Sequence, residues 1–569
     1  MGSSVLIVVV LGLVAVAAVR ALSDRIGVAA PLLLVLLGVA VSLLPGVPPV
    51  EVDPEWVLAG ILPPLLFSSA VAMPVMDFRR AFGVVSGLSV VLVVVSSLVI
   101  GLLLDLVVPG LGLAAGIALG AILSPTDAAA TAIVRRLGVT SRVVTVLDGE
   151  GLLNDATALV LLRAAIAAGA AGAVSVSIGG VVGQFALAVV VAVVLGVVVG
   201  RVGLLVRGRV RDPTVNTLLS FATPFIASMP TEALGASGLV AAVAAGLVTG
   251  NGAPRRLTPR HRLSDTENWR TVELVLEGTI FLLMGLELTR VLDDLERDGA
   301  SWGAGLALAA GALVVTLLLR AAYVTPLVLA VRASARRGST RQSHLREMDE
   351  RLAAGEEITI RGHTVALPGP RRLARFRNRL QLRIADIDYF RSAPLGPREG
   401  TVIVWAGMRG AVTVAAAQTL PTETPDRSLL VFVAFAVATA SLLLQGGTLA
   451  LLVRRVAPAR AEVASPTERG ELLDRLMAAN RQVLDRHADE PEIAGFRERL
   501  ADRYERPDPT LGSQQRIRVR LEMIEAQRAA LLAARDEGTF TSSALATLLE
   551  NLDAEQISIE LRGRVVEPD

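Results

Sequence analysis

The stretch LDGEGLLNDATALV, residues 147–160, places four polar side chains in an otherwise apolar run: Asp148, Glu150, Asn154 and Asp155. A charged side chain at the centre of a bilayer costs about 2.5 to 3.5 kcal/mol on insertion scales. Residues that bear this cost usually contact a partner, a cavity or a transported ion. The stretch therefore predicts a buried polar site inside a membrane helix.

The composition of the whole chain places this stretch in a membrane protein. Of its 569 residues, 53% are hydrophobic, and the mean hydropathy is +0.58. Apolar runs of about 20 residues recur along the chain, which is the length of a transmembrane helix. Thirteen spans are predicted, at roughly 3–22, 26–45, 55–76, 81–107, 111–134, 143–169, 176–206, 214–230, 234–250, 271–289, 302–331, 400–420 and 428–454.

Residue types that are missing or rare disfavour several classes of enzyme. Cysteine is absent, and all 55 basic residues are arginine, so neither a thiol metal site nor a lysine-containing P-loop can form. The four histidines lie in predicted cytoplasmic segments, and no HExxH motif is present. We therefore expect a protein that is not an enzyme and that uses neither an organic cofactor nor nucleic acid.

Arginine in the short loops predicts the orientation and the domains. Loops with arginine alternate with loops that carry none, except for the tenth loop, TRVLDDLERDGAS, which has mixed charge. The N-terminus is therefore expected outside and the C-terminus in the cytoplasm. Residues 1–456 form the predicted transmembrane domain, and an arginine-rich cytoplasmic loop, 332–399, is inserted between spans 11 and 12. An amphipathic segment of this loop either lies on an anionic leaflet or packs on the protein's own cytoplasmic face. Residues 457–569 form a predicted helical tail with a regulatory or assembly role.

Two spans are interrupted at corresponding positions. SPTD, residues 124–127, places a proline inside the fifth span, and GMRG places Arg409 between glycines in the twelfth. If spans 1–6 and 8–13 are two repeats, each interruption falls in the fifth span of its repeat. Paired broken helices indicate a transporter site near the bilayer midplane. A plain proline kink, with Asp127 capping the following half-helix, remains the alternative.

These motifs together resemble a known transporter family. ILPPLLF, SPTDAAAT, GEGLLNDATALV, the arginine of LLLRAAYV and GMRGAV follow one another in the order typical of the sodium/proton exchanger branch of the monovalent cation:proton antiporters. That branch includes bacterial NhaP-type proteins and animal NHE exchangers. The resemblance covers about residues 5–455. It implies an all-α polytopic fold of inverted six-helix repeats, with a dimer domain and a mobile core domain, assembled as a homodimer.

The resemblance also implies residue roles. Asp155 matches the carboxylate that binds the cation and the proton, and it is flanked by Thr126, Asp127 and Asn154. Glu150 and Arg320 match a structural ion pair, and Arg409 matches the arginine of the second broken helix. The helical spacing agrees with different roles for the two acids, one paired with an arginine and the other free. Asn154 shares a face of the helix with Glu150, and Asp155 is turned about 100° from Asn154.

This chain departs from the family pattern at two positions. Ser68 stands where relatives carry an acid, and Gly151 stands where they often carry serine. The site is therefore expected to hold fewer oxygen ligands, which leaves the choice between Na⁺ and K⁺ open. Glu277 either compensates as a ligand, packs against an arginine or lies near the cytoplasmic end of its span.

The function expected from these features is secondary antiport of a monovalent cation, most simply Na⁺, for H⁺ across the inner membrane of a bacterium. Exchange of K⁺ or of mixed cations for H⁺ is the alternative. A cation channel or an ion-sensing membrane scaffold is the rival class.

Overall fold

The computed structural model describes residues 2–45, 47, 49–170, 178–354, 358–360, 363–365, 370–392, 395–456, 466–487, 514–538 and 540–566. By contacts, the chain divides into two compact units. The first comprises Met1–Val331 and Leu395–Ala461, and the second comprises Arg332–Pro394 and Glu462–Asp569.

All the secondary-structure elements that the structure describes in the first unit are helices. Its first half contains α1 (Gly2–Ile26), α2 (Ala30–Ser42), α3 (Leu62–Ala72), α4 (Val75–Ser86), α5 (Val93–Val107), α6 (Leu113–Leu123), α7 (Ala129–Arg136), α8 (Ser141–Ala170) and α9 (Ile178–Arg207). The rest comprises α10 (Pro213–Ala233), α11 (Gly238–Arg256), α12 (Pro259–Leu286), α13 (Leu288–Arg297), α14 (Trp302–Ala353), α16 (Pro397–Trp405), α17 (Ala411–Gln418), α18 (Arg427–Ser441) and α19 (Gly447–Val456). Helix α14 continues past Val331 into the second unit.

Three π-helical segments join neighbouring helices into longer spans. Trp56–Ile61 leads into α3, Gly87–Leu92 joins α4 to α5, and Leu442–Gly446 joins α18 to α19. Each of the thirteen predicted spans contains a described helix, and the predicted breaks in the fifth and twelfth spans separate α6 from α7 and α16 from α17.

Six helical stretches of the described chain are long and apolar enough to cross a membrane. They are Leu6–Ile26, Val75–Val107, Ser141–Ala170, Ala186–Arg207, Trp302–Ala333 and Arg427–Val456. Of the remaining spans, the second and third are shorter and the fifth and twelfth are broken, whereas α10, α11 and α12 are long enough, with 21, 19 and 28 residues, but less apolar. The tenth differs from its predicted bounds, because α12 begins at Pro259 with Thr258 as its N-cap, and the mixed-charge loop that follows is helical as α13.

Small residues let several of these helices approach closely. Gly38 of α2 and Gly285 of α12 lie against each other's backbone, so that a Cβ at either position would overlap the facing helix. Helices α5 and α6 contact in the same way through Gly101 and Gly116. Van der Waals contact between small residues stabilises helix pairs where no water is present to drive hydrophobic association.

The second unit contains the described parts of the long loop and the tail. A short antiparallel hairpin, β1 (Ile358–Ile360) and β2 (His363–Val365), pairs Ile358 with Val365. The amphipathic loop segment is helical as α15 (Pro370–Ser392). The tail forms α20 (Pro466–Arg486), α21 (Gln514–Glu537) and α22 (Ser542–Val566), which enclose an apolar core that includes Leu472, Leu531 and Leu545.

Candidate functional site

The two helix breaks of the first unit are joined by hydrogen bonds. The backbone N–H of Asp127 donates to the carbonyl of Met408 at 2.8 Å. Arg409 is buried, and its Nε donates to the carbonyl of Leu123 at the end of α6, also at 2.8 Å. Its guanidinium also donates to the carbonyl of Gly407. Carbonyls freed where a helix unwinds must be satisfied inside a membrane protein, and Arg409 satisfies one from each break.

Asp127 lies where the first break meets the second. Its Oδ1 accepts a hydrogen bond from the N–H of Ala129 at 2.7 Å, at the start of α7. Its Oδ2 lies directly against the Cα of Gly410, the residue before α17. The alternative of a local cap is therefore partly right, since Asp127 does bond its own half-helix, but the carboxylate also approaches the positive end of the second half-helix.

Gly410 has no room for a side chain, because a Cβ there would overlap the Asp127 carboxylate. Gly410→Ala should therefore displace the carboxylate or the break. Overpacking of this kind costs about 1 to 3 kcal/mol. We expect a lower melting temperature and weaker cation binding, measured by thermal melts with and without NaCl. Gly311→Ala is the control, since a Cβ at Gly311 meets open space on α14. Equal melting of the two variants would contradict the close contact.

Glu150 and Arg320 form a buried ion pair. Both oxygens of Glu150 accept from the guanidinium, with Nη2 at 2.8 Å from Oε2, and each side chain is 2% exposed. Nε of Arg320 donates to the carbonyl of Ile403 at the end of α16. A bidentate pair of this kind fixes both groups. Glu150 is thus fully engaged by its partners.

A directional chain of hydrogen bonds extends from this pair. Thr126 Oγ1 donates to Glu150 Oε1 at 3.2 Å and accepts from Nδ2 of Asn154 at 2.8 Å. The amide nitrogen of Asn154 is thereby fixed toward the first break. Its Oδ1 is buried and, among the described residues, has no hydrogen-bond partner. A buried carbonyl oxygen of this kind is available to a cation.

Asp155 is not part of this series of hydrogen bonds. It is 8% exposed, and within the described part of the molecule its carboxylate has neither a hydrogen bond nor an ion pair. It lines a cavity of about 100 Å³ together with Thr126, Asp127, Gly151 and Glu277. Asp148 lines the same cavity, and its Oδ2 accepts from Arg135 at 2.6 Å. The cavity therefore gathers four carboxylates. Those of Asp127 and Asp148 are hydrogen-bonded or ion-paired, whereas those of Asp155 and Glu277 have neither kind of partner among the described residues.

The two departures from the family pattern occupy different environments. Gly151 lines the cavity, and a Cβ at this position meets nothing within 4 Å. Ser68 is buried on α3 and donates its hydroxyl to Glu273 of α12, and it is not among the residues that line the cavity. Glu273 is not among the site residues predicted from the sequence. Its signal was its position four residues before Glu277, which places the two acids on one face of α12.

Comparison with known proteins identifies the family of this chain. The family model "Sodium/hydrogen exchanger, transmembrane" matches residues 10–455. The chain belongs to the sodium/hydrogen exchanger family. It is a membrane transporter with several spans, related to cation/proton antiporters, and is not an enzyme.

Among its relatives, an uncharacterised Na⁺/H⁺ exchanger of Mycobacterium tuberculosis, Rv2287, is 29% identical over 580 residues, covering 97% of this chain and 96% of the relative. The sodium, potassium, lithium and rubidium/H⁺ antiporter of Bacillus subtilis is 29% identical over 48% of this chain and 41% of its own. The sodium proton antiporter MjNhaP1 of Methanocaldococcus jannaschii shares the fold, with a TM-score of 0.52 and 16% identity over 79% of this chain and 97% of that one.

Proposed function

We propose that this exchanger moves a monovalent cation, Na⁺ first and K⁺ as the alternative, in exchange for H⁺ at Asp155. The observation that carries the proposal is the buried Asp155 carboxylate on the wall of the cavity, which has no hydrogen bond or ion pair among the described residues. A second acid on the same helix, Glu150, has its charge matched by Arg320. Two carboxylates five residues apart on α8 thus have different roles, one structural and one exchangeable.

Competition at one carboxylate is enough to couple the two ions. Burial favours the neutral form of a carboxyl group, so the group takes up either a proton or a cation. A cation bound there removes the proton, and a proton expels the cation. The other ligands we assign are oxygens, which hard alkali cations prefer. The Asp127 carboxylate and Thr126 line the cavity, and Oδ1 of Asn154 does not line it but is buried without a hydrogen-bond partner among the described residues.

The hydrogen bonds between the breaks support rigid movement of the site. Asp127 and Arg409 tie one broken helix to the other, and Arg320 ties α14 to both α8 and α16. We propose that these helices move as a core domain against a dimer domain in a homodimer, which exposes Asp155 to each side in turn. Movement of a packed body about a fixed site is the usual route to alternating access.

We assign the exchanger to the cytoplasmic membrane of a bacterium, with its N-terminus outside and its C-terminus inside. The support is the arginine distribution in the short loops. Residues 1–456 are the proposed transport domain, the loop 332–399 is a basic cytoplasmic insertion, and residues 457–569 are a regulatory or assembly tail.

Ion flux in proteoliposomes tests the function. Vesicles with a preset pH gradient and an internal pH dye are given Na⁺, K⁺ or Li⁺, and the dissipation of the gradient is recorded. An exchanger dissipates the gradient in proportion to cation uptake, with Na⁺ the most effective ion. Cation uptake without proton counterflow would show a channel, and cation binding without flux would show a sensing scaffold.

Gly151→Ser tests which part of the cavity sets cation affinity. The added hydroxyl enters open space beside Asp155 and supplies an oxygen, so we expect the half-saturating Na⁺ concentration to fall more than that of K⁺. Gly83→Ser on α4 is the matched control, because a Cβ there also meets open space. Unchanged half-saturation for both ions would place Gly151 outside the cation's coordination shell.

A further inference from the structure

A second cavity, of about 230 Å³, lies among α1, α2, α7, α12 and α19. Its walls are largely apolar and include Val16, Leu34, Ile133, Phe281 and Ala450. Glu277 and Phe281 line both this cavity and the one at Asp155. The two cavities are therefore neighbours that share residues of α12.

Three arginines from three helices line this second cavity. Arg20 belongs to α1, Arg136 is the last residue of α7, and Arg454 lies in the last turn of α19. The carboxylate of Asp24 lies 3.3 Å from Arg136 and 3.9 Å from Arg20. These side chains are about half exposed, so the pairs are weak and leave the guanidinium groups available. Three arginines are thus matched by two carboxylates, Asp24 and Glu277, which leaves an excess of positive charge.

We propose that this cavity binds the headgroup of an anionic phospholipid together with the first carbons of an acyl chain. Guanidinium groups present forked donors that match phosphate oxygens. The apolar wall suits the adjoining acyl chain, whereas free phosphate would leave the apolar part of the cavity unfilled. The cavity is smaller than a typical drug-sized pocket, which fits a headgroup rather than a whole lipid. The phosphate is expected beside Arg136 and Arg454, because the Glu277 carboxylate, which interacts electrostatically with Arg20, repels it.

A lipid bound in the second cavity is expected to affect transport. A lipid bound here contacts α7 and α19 on one side and α1, α2 and α12 on the other. It also lies next to Glu277, which borders the cavity of Asp155. Lipid composition is therefore expected to affect the exchanger through a specific site. Binding of the phospholipid does not depend on which ion is exchanged.

Thermal stabilisation of the full-length, detergent-purified protein tests the site. Phosphatidylglycerol, phosphatidylcholine and inorganic phosphate are titrated separately, and the shift in melting temperature is recorded. We expect phosphatidylglycerol alone to stabilise the wild type. Arg136→Gln with Arg454→Gln should raise the lipid concentration for half-maximal shift about thirtyfold. Arg79→Gln with Arg209→Gln removes the same charge from exposed arginines that do not line this cavity, and should leave the titration unchanged.

A second variant separates the apolar wall from general charge effects. Ala132 lines the cavity and is exposed, so Ala132→Phe should fill the space for the acyl chain while leaving all the arginines in place. We expect it to weaken the response to phosphatidylglycerol. Equal responses of both double variants would overturn the proposal in favour of non-specific charge. Stabilisation by inorganic phosphate at similar concentrations, or no response to phosphatidylglycerol in the wild type, would overturn it as well.

Discussion

Asp155→Asn should abolish exchange of every cation while leaving the protein folded. The amide has nearly the size of the carboxylate, so the cavity keeps its shape, but it neither takes up a proton nor carries the charge that attracts a cation. Within the described residues, the carboxylate makes no hydrogen bond or ion pair whose loss would destabilise the fold. Proteoliposome flux should therefore fall to the level of empty vesicles, with a melting temperature near that of the wild type.

A matched control for this substitution is Asp148→Asn. Asp148 lines the same cavity on the same helix, but its carboxylate is engaged by Arg135. We expect this variant to retain exchange with a changed rate. Exchange at a wild-type rate in the Asp155 variant would move the ion-binding role to Asp127 or Glu277.

Glu150→Ala should destabilise the protein strongly before it changes ion affinity. The substitution leaves the buried guanidinium of Arg320 without its carboxylate, and breaking a buried pair in this way costs about 3 to 5 kcal/mol. It also removes the acceptor of Thr126. We expect low yield and a melting temperature lowered by several degrees, measured on detergent-purified protein.

Removing both partners distinguishes a structural pair from a ligand. A double variant, Glu150→Met with Arg320→Met, leaves no unpaired charge, and apolar replacement of a buried pair is often neutral. It should recover much of the stability that the single variant loses. The hydrogen bond from Arg320 to the carbonyl of Ile403 is also lost in the double variant, so the recovery is incomplete. Normal melting of Glu150→Ala, together with a shifted Na⁺ affinity, would make Glu150 a ligand instead.

Features encoded within a few residues were predictable from the sequence. Pro125 removes a backbone donor, and the glycines around Arg409 weaken a helix, so both breaks occur where they were expected. The different roles predicted for Glu150 and Asp155 also follow from their spacing along the helix. The ion pair with Arg320 required more than spacing, because the partner lies 170 residues away, and only the family resemblance pointed to it.

Features that depend on which helices pack together were not predictable. The acid beside Ser68 is Glu273, 205 residues further along the chain, and the packing of α3 against α12 brings them together. The same packing places Glu277 on the wall shared by the two cavities. The alternatives for Glu277 stayed open in the sequence because hydropathy assigns the residue to a span without assigning its neighbours. The hairpin of β1 and β2 was not predicted either, although its strands, ITI and HTV, are rich in β-branched residues that favour strands.

Proton release on cation binding tests the central claim most directly. Weakly buffered, detergent-purified protein is mixed with NaCl, with choline chloride as the control for ionic strength, and the pH change is followed with a dye. If Asp155 holds either a proton or a cation, Na⁺ should release close to one proton per chain from the wild type and almost none from Asp155→Asn. Equal proton release from both proteins, or Na⁺ binding to the wild type without release, would contradict it.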